Sequence, residues 1–128
     1  MGKKVMIVDD NPDLIYIVKE GLERLDASFE VIGASSGKEC FELLKQQPHP
    51  DIILLDIMMP EMNGWDIFSH LQTEKEWEHI PIVFLTAKTD DLSKGLGSYA
   101  STDYICKPFQ LNELKQRIDE IIGRKQHE

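Results

Sequence analysis

Five polar residues directly follow short apolar runs in this chain. Asp9 and Asp10 follow Val5 to Val8, Asp56 follows Ile52 to Leu55, Thr86 follows Ile82 to Leu85, and Lys107 follows Tyr104 to Cys106. Each alone reads equally well as a turn residue or a solvated polar group. Together they imply more, because in a parallel sheet the carboxyl ends of all strands share one edge, and open α/β sheets bind ligands there. Three carboxylates brought close to one another must protonate, spread apart or share a cation. A hard divalent ion with oxygen ligands, Mg²⁺ keeping some of its waters, resolves the crowding. A lysine facing such an ion points to a guest with several anionic oxygens, since two cations neutralise the charge that develops on a phosphoryl group in transfer. Asp56 closes a continuously apolar run, so it is held more rigidly than the loop acids and is the candidate nucleophile for in-line attack. Asp9 and Asp10 then hold the metal, directly or through water, while the Thr86 hydroxyl and the Lys107 ammonium contact the acyl phosphate.

The elements that must position these groups are legible from hydrophobic period. The runs at 5–8, 52–55 and 82–85 are uninterrupted, as in strands buried on both faces. Phe29, Glu30 and Val31 alternate, as in a strand with one wetter face, and Tyr104 to Cys106 is a fifth short strand. Between them, Leu14, Val18, Leu22 and Leu25 form one helical stripe, and Leu111, Leu114, Ile118, Ile121 and Ile122 form another. Asn11 before Pro12 suits a helix cap and first position, and Ser36 with Glu39 has the capping-box spacing. Trp65, Phe68 and Leu71 read as core packing of the third helix, and Trp77 as an aromatic packed on the rim of the sheet. Five βα units joined by right-handed crossovers predict an open α/β sheet covered on both faces.

Composition narrows the function classes. The 128 residues carry 14 Lys and Arg against 23 Asp and Glu, a formal charge of −9, and no basic cluster interleaved with aromatics, so direct nucleic-acid binding is not expected. The longest apolar run, Leu14 to Val18, is far short of the roughly 20 residues of a membrane span, and no signal-peptide core is visible at the N-terminus. A single cytoplasmic domain covering 1–128 is therefore expected, with a core from about 3 to 123 and a polar tail over 124–128. Cys40 and Cys106 are expected to be buried free thiols, and the four histidines lack transition-metal spacing.

At this point the residues resemble a known family. Asp9-Asp10, Asp56 within Asp-Ile-Met-Met-Pro-Glu-Met-Asn-Gly, Thr86-Ala87 and Tyr104-Ile105-Cys106-Lys107-Pro108-Phe109 are similar in order and spacing to the response-regulator receiver domain, the CheY-like family, from about Lys3 to Gly123. The resemblance implies a doubly wound five-stranded parallel sheet in the order 2-1-3-4-5 with five helices, an order for which CheY itself is a standing example. It implies that Asp56 is phosphorylated by a sensor histidine kinase or a phosphotransfer protein in a two-component system. It further implies that Asp10 and Asp56 ligate Mg²⁺, with Mn²⁺ as a substitute, that the Met58 carbonyl completes the protein ligands, and that Asp9 works mainly through water. Thr86 and Tyr104 resemble the switch pair, the Lys107–Pro108 bond is expected to be cis, and slow autodephosphorylation is expected. The fourth and fifth helices with the fifth strand would form the surface read by a downstream effector protein or output domain. For Tyr104, a half-buried core aromatic is the plainer alternative.

Two positions depart from the family pattern or tune it. The segment Asp90 to Tyr99 contains Gly95 and Gly97, and Ala100-Ser101-Thr102-Asp103 stands where a Gly-Ala pair is usual, so raised mobility around Ser93 to Ala100 is expected without phosphate. Lys88, two residues beyond Thr86, is a candidate for tuning phosphoryl lifetime, with a solvated surface lysine as the alternative. A degenerate receiver acting only as an interaction module is the first rival. An aspartate-nucleophile phosphohydrolase would need a carboxylate where Met58 stands, and a flavin-binding fold would not place Asp9, Asp10 and Asp13 at its phosphate loop.

Overall fold

The computed structural model describes residues 2–87 and 103–126. Along the chain these form β1 (Lys3–Val8), α1 (Pro12–Leu25), β2 (Phe29–Ala34), α2 (Gly37–Leu44), β3 (Ile52–Asp56), α3 (Gly64–Gln72), β4 (Ile82–Thr86), β5 (Asp103–Cys106) and α4 (Leu111–Gln126). The strands pair in parallel in the order β2-β1-β3-β4-β5, the α/β arrangement expected. Four helices fall among the described residues. The segment Asp90 to Tyr99, expected as a further helix, lies outside them, as do Lys88 and the Ser93 to Ala100 stretch, so α4 is the helix counted fifth from the sequence. No described helix is long and apolar enough to cross a membrane.

The uninterrupted apolar runs are explained by two cores, one on each face of the sheet. Val5 and Ile7, Ile52 and Leu54, and Val83 and Leu85 pack with Val18 and Leu22 of α1 and Leu114 and Ile118 of α4. Their alternates Met6 and Val8, Ile53 and Leu55, and Ile82 and Phe84 pack with Cys40 and Leu44 of α2 and Ile67 and Leu71 of α3. Because successive side chains point to opposite faces, both must be apolar where both faces are covered. Each fully buried aliphatic side chain contributes about 1.5–3 kcal/mol. Trp65 and Phe68 lie tilted on Phe84, and Trp77 is buried and stacked on Phe41.

Local signals hold with three corrections. Asn11 caps α1, its side chain accepting from the N–H groups of Asp13 and Leu14, with Pro12 at the first position. At α2 only half the capping box forms: Ser36 accepts from the Glu39 N–H, but the Glu39 carboxylate turns to the N–H and hydroxyl of Ser35. A complete box occurs instead at α3, between Asn63 and Asp66. Cys40 is buried, and the lost hydration pushes its thiol up to about 12, but Cys106 is exposed. The reason is position: β5 is an edge strand on which Ile105 alone turns into the core, leaving Tyr104 and Cys106 on the other side. The last helix also runs beyond Gly123 to Gln126, and Arg124 reaches back to Asp103 at 3.1 Å, so part of the expected polar tail is helix.

Two glycines make a test of this packing. A Cβ on Gly64 would fall 2.5 Å from the Asp56 carbonyl oxygen and 2.9 Å from the Ile57 Cα, both backbone atoms, whereas a Cβ on Gly123 meets nothing within 4 Å. Gly64→Ala is expected to destabilise by about 1–3 kcal/mol, because backbone cannot yield as a side chain can. Gly123→Ala is expected to stabilise by up to about 1 kcal/mol, since alanine is the better helix former. Urea denaturation of the two variants measures both; equal midpoints would contradict the close approach at Gly64.

Candidate functional site

The sheet's connectivity reverses between β1 and β3, since the chain runs outward from β1 to β2 and then crosses back to β3. Such a reversal opens a crevice at the carboxyl ends of the two strands. Asp9 follows β1 directly and Asp56 ends β3, and the pairing of Val8 with Leu55 sets the two acids side by side. Strand alternation then decides which groups meet. Asp9 continues the row of Val5 and Ile7, Asp56 the row of Ile52 and Leu54, and Lys107 the row of Ile105, all rows of the α1–α4 face. Thr86 continues the other row, with Ile82 and Phe84.

The side chains meet as this parity requires. The Lys107 ammonium donates to Asp9 Oδ2 at 2.8 Å and to Asp56 Oδ1 at 3.3 Å. One carboxylate oxygen from each of Asp9, Asp10 and Asp56 lies within 4.8 Å of the others. Asp9 and Asp56 are buried, 1% and 5% exposed, while Asp10 is exposed. The loops are tied to the sheet by backbone bonds that extend the ladders, from the N–H of Asp9 to Ala34 O (3.0 Å), of Ile57 to Leu85 O (3.2 Å) and of Lys107 to Thr86 O (2.7 Å). Gly64 N–H closes the loop after Asp56 by donating to Ile57 O at 2.8 Å.

The electrostatics are those of a crowded acid site. Burial, and next the charge of Asp9, push the Asp56 carboxyl up to about 6; Lys107 pulls against this, and Asp10 adds to it. Partial burial disfavours the charge on Lys107, but its bond to Asp9 and the field of both carboxylates outweigh that cost and hold the ammonium above its ordinary range. Three carboxylates against one ammonium leave two negative charges, the complement of one divalent cation. All the donors are hard carboxylate oxygens, and no cysteine or histidine stands among them. This donor set fits Mg²⁺.

Other residues singled out from the sequence fall around this centre. Thr86 is fully buried at the end of β4. Met58, two residues beyond Asp56, has an exposed side chain. Tyr104 is 41% exposed on the edge strand. The Lys107–Pro108 peptide is cis, and so is Gln47–Pro48. Two features were not anticipated. Lys107, expected on the acyl phosphate, rests on Asp9 as well as Asp56, and the Asn11 N–H donates to Asp9 Oδ1 at 2.9 Å. The second is the side-chain turn that aspartate readily makes with the amide two residues on.

Comparison with known proteins identifies similar chains and the same fold. The family model of the response regulator receiver domain matches residues 5–119. A crystal structure of a CheY-like response regulator receiver domain protein from Methanospirillum hungatei is 38% identical, covers 98% of each chain and superposes with a TM-score of 0.82. The alkaline phosphatase synthesis transcriptional regulatory protein PhoP of Bacillus subtilis is 34% identical over 98% of this chain and 51% of its own length. A probable cyclic di-GMP phosphodiesterase of Vibrio cholerae is 37% identical over 94% of this chain but 27% of its own length. The chain thus spans about half or less of these curated relatives.

The raised Asp56 carboxyl makes a signed prediction. Its folded value, about 6, stands above the ordinary 3.8, so the metal-free fold binds this proton more tightly than the unfolded chain does. The resulting stability is complete below about pH 4 and is lost as pH rises through 6. Asp56→Asn is therefore expected to stabilise the metal-free protein above pH 6 by on the order of 2–3 kcal/mol and to converge with the parent near pH 4. Denaturant titrations at pH 4 and 8 in chelator measure the difference; an Asn variant less stable at pH 8 would contradict the crowding.

Proposed function

The chain belongs to the response-regulator receiver family, and we propose that it works as a phosphorylation-activated switch whose acceptor is Asp56. Receiver domains are regulatory phosphoacceptor domains, phosphorylated by histidine kinases, and they generally bind Mg²⁺ in an acidic pocket. The observation that carries the proposal is the convergence of Asp9, Asp10, Asp56 and Lys107 on one point at the β1–β3 crevice.

In this reading Asp10 and Asp56 would hold Mg²⁺ with the Met58 carbonyl, and Asp9 would act through water. When bound, the ion supplies positive charge that offsets the oxygens of the incoming phosphoryl group. Lys107 engages Asp56 Oδ1, and the second Asp56 oxygen attacks phosphorus in line with the donor's leaving atom. The new O–P bond forms as the bond to the donor, a phosphohistidine nitrogen of a sensor kinase or phosphotransfer protein, breaks. The buried strand end fixes the attacking oxygen, and Lys107 neutralises charge from the opposite side. Asp56 must be ionised to attack, and Lys107 favours that form against the burial that opposes it.

The same residues supply the switch. A phosphoryl group brings acceptor oxygens that the Lys107 ammonium and the Thr86 hydroxyl can satisfy. Drawing the buried Thr86 toward the site would open room beside β5 for Tyr104 to turn inward from its exposed position. Charge-assisted hydrogen bonds at about 1.5–3 kcal/mol each are enough to reverse a two-state balance that needs about 5.5 kcal/mol to go from 1:99 to 99:1. The altered surface around β5 and α4 would then be read by an effector protein or output domain. The Vibrio relative named as a probable phosphodiesterase is a much longer chain, of which the matched region is 27%.

Incubation with Mg²⁺ and a small acyl phosphate, followed by intact mass, tests the proposal. One phosphoryl group is expected to add to the parent chain, none to Asp56→Asn, and none in the presence of chelator. Lys107→Ala is expected to slow addition by at least tenfold, and Lys88→Ala to change the lifetime of the adduct. An unmodified parent would favour an interaction module that does not use phosphate.

A further inference from the structure

Both oxygens of Asp9 are committed: Oδ2 accepts from Lys107 at 2.8 Å and Oδ1 from the backbone N–H of Asn11 at 2.9 Å. The same Asn11 uses its side-chain oxygen to cap α1, accepting from Asp13 N at 3.0 Å and Leu14 N at 3.4 Å. Its backbone faces the site and its side chain faces the helix. Asn11 is itself exposed, and its link to the site runs through Asp9, so its contribution is indirect.

We infer that Asn11 is a positioning residue, whose cap on α1 holds its own N–H against Asp9 and thereby fixes the carboxylate that anchors Lys107 beside Asp56. The inference rests on the reading of this site as a Mg²⁺-dependent acceptor. Asp9 is 1% exposed, so an oxygen released by Asn11 finds little water to replace the lost bond. Left free, the carboxylate would rotate, and the ammonium bonded to its other oxygen would follow. A cap lost at Asn11 frees the first turn of α1 and with it the backbone amide that precedes Pro12. The helix start is thus a mechanical part of the acid site: what stabilises α1 also sets the angle of Asp9.

Three variants separate this from a role in stability alone. Asn11→Ala removes the cap; Asn11→Ser keeps a capping oxygen; Ser36→Ala removes the corresponding cap of α2, whose Ser36 hydroxyl accepts from Glu39 N at 3.2 Å. Calorimetric titration with Mg²⁺ alone, at pH 7.5 (roughly 1.5 above the Asp56 value), reads the site without any phosphodonor. Amide exchange at residue 11 in metal-free protein reads the Asn11–Asp9 bond directly. Asn11→Ala is expected to weaken Mg²⁺ binding about three- to tenfold and to speed exchange at residue 11 by a similar factor. Asn11→Ser should restore both, and Ser36→Ala should move neither while lowering the melting temperature comparably. If Asn11→Ala binds Mg²⁺ as the parent does, or Ser36→Ala weakens it equally, the inference is overturned. A parent that binds no Mg²⁺, with exchange at residue 11 still cap-dependent, would overturn the metal reading of the site and leave the Asn11–Asp9 linkage standing.

Discussion

The site depends on an electrostatic imbalance that the fold imposes. Parallel pairing of β1 with β3 sets Asp9 beside Asp56, burial removes the water that would screen them, and one ammonium serves both. Burial first, and the charge of Asp9 next, disfavour the ionised form of Asp56 and push its carboxyl up to about 6. A folded protein ordinarily avoids such an arrangement because it lowers stability. Its presence at the topological switch point, with Asp10 added at the mouth, supports the proposal that the deficit of positive charge serves a bound cation.

Everything else in the architecture keeps that imbalance from relaxing. The acids cannot swing apart, because each ends or follows a central strand whose side chains are buried on both faces. The loop after Asp56 cannot lift, because Gly64 lies against its backbone and the Asn63–Asp66 box locks the start of α3. Lys107 is held by a ladder bond from its N–H to Thr86, so the residue supplying the counter-charge is tied to the residue that ends β4. In the proposed reading, a phosphoryl group arriving at Asp56 would meet Lys107 and Thr86 together, and their shared backbone bond would link chemistry at β3 to the edge strand carrying Tyr104.

Much of this was legible in the sequence because burial on both faces writes itself as uninterrupted apolar runs, and the residue after each run is then fixed in place by the sheet. Asp9, Asp56 and Thr86 can be located this way without coordinates, and Lys107 from the shorter apolar run of the edge strand. What could not be read were features set by pairing across the chain. The bond from Lys107 to Asp9 spans 98 positions, and nothing in either neighbourhood announces it. The residue type of Cys106 favours burial, but an edge strand buries only one side, and strand order is not written in the local pattern. At α2, spacing alone suggested a closed capping box, yet Ser35 competed successfully for Glu39. The complete box forms instead at Asn63 and Asp66, where asparagine and aspartate take the places of the usual serine or threonine and glutamate.

The parity of the strands also bears on how a switch can be built at such a site. Asp9, Asp56 and Lys107 belong to rows facing α1 and α4, whereas Thr86 belongs to the row facing α2 and α3, along with Phe84. Phe84 in turn pairs in register with Tyr104. A group that recruits Thr86 from its own row toward the acids therefore pulls across the plane of the sheet, and the side that loses the hydroxyl is the side on which Tyr104 stands. A serine or threonine on the same row as the acids could satisfy the phosphoryl oxygens equally well, but its movement would leave the aromatic's side of the sheet unchanged. In the proposed switch, opposite parity would let a local gain of hydrogen bonds at one strand end be expressed as a change of packing at the edge.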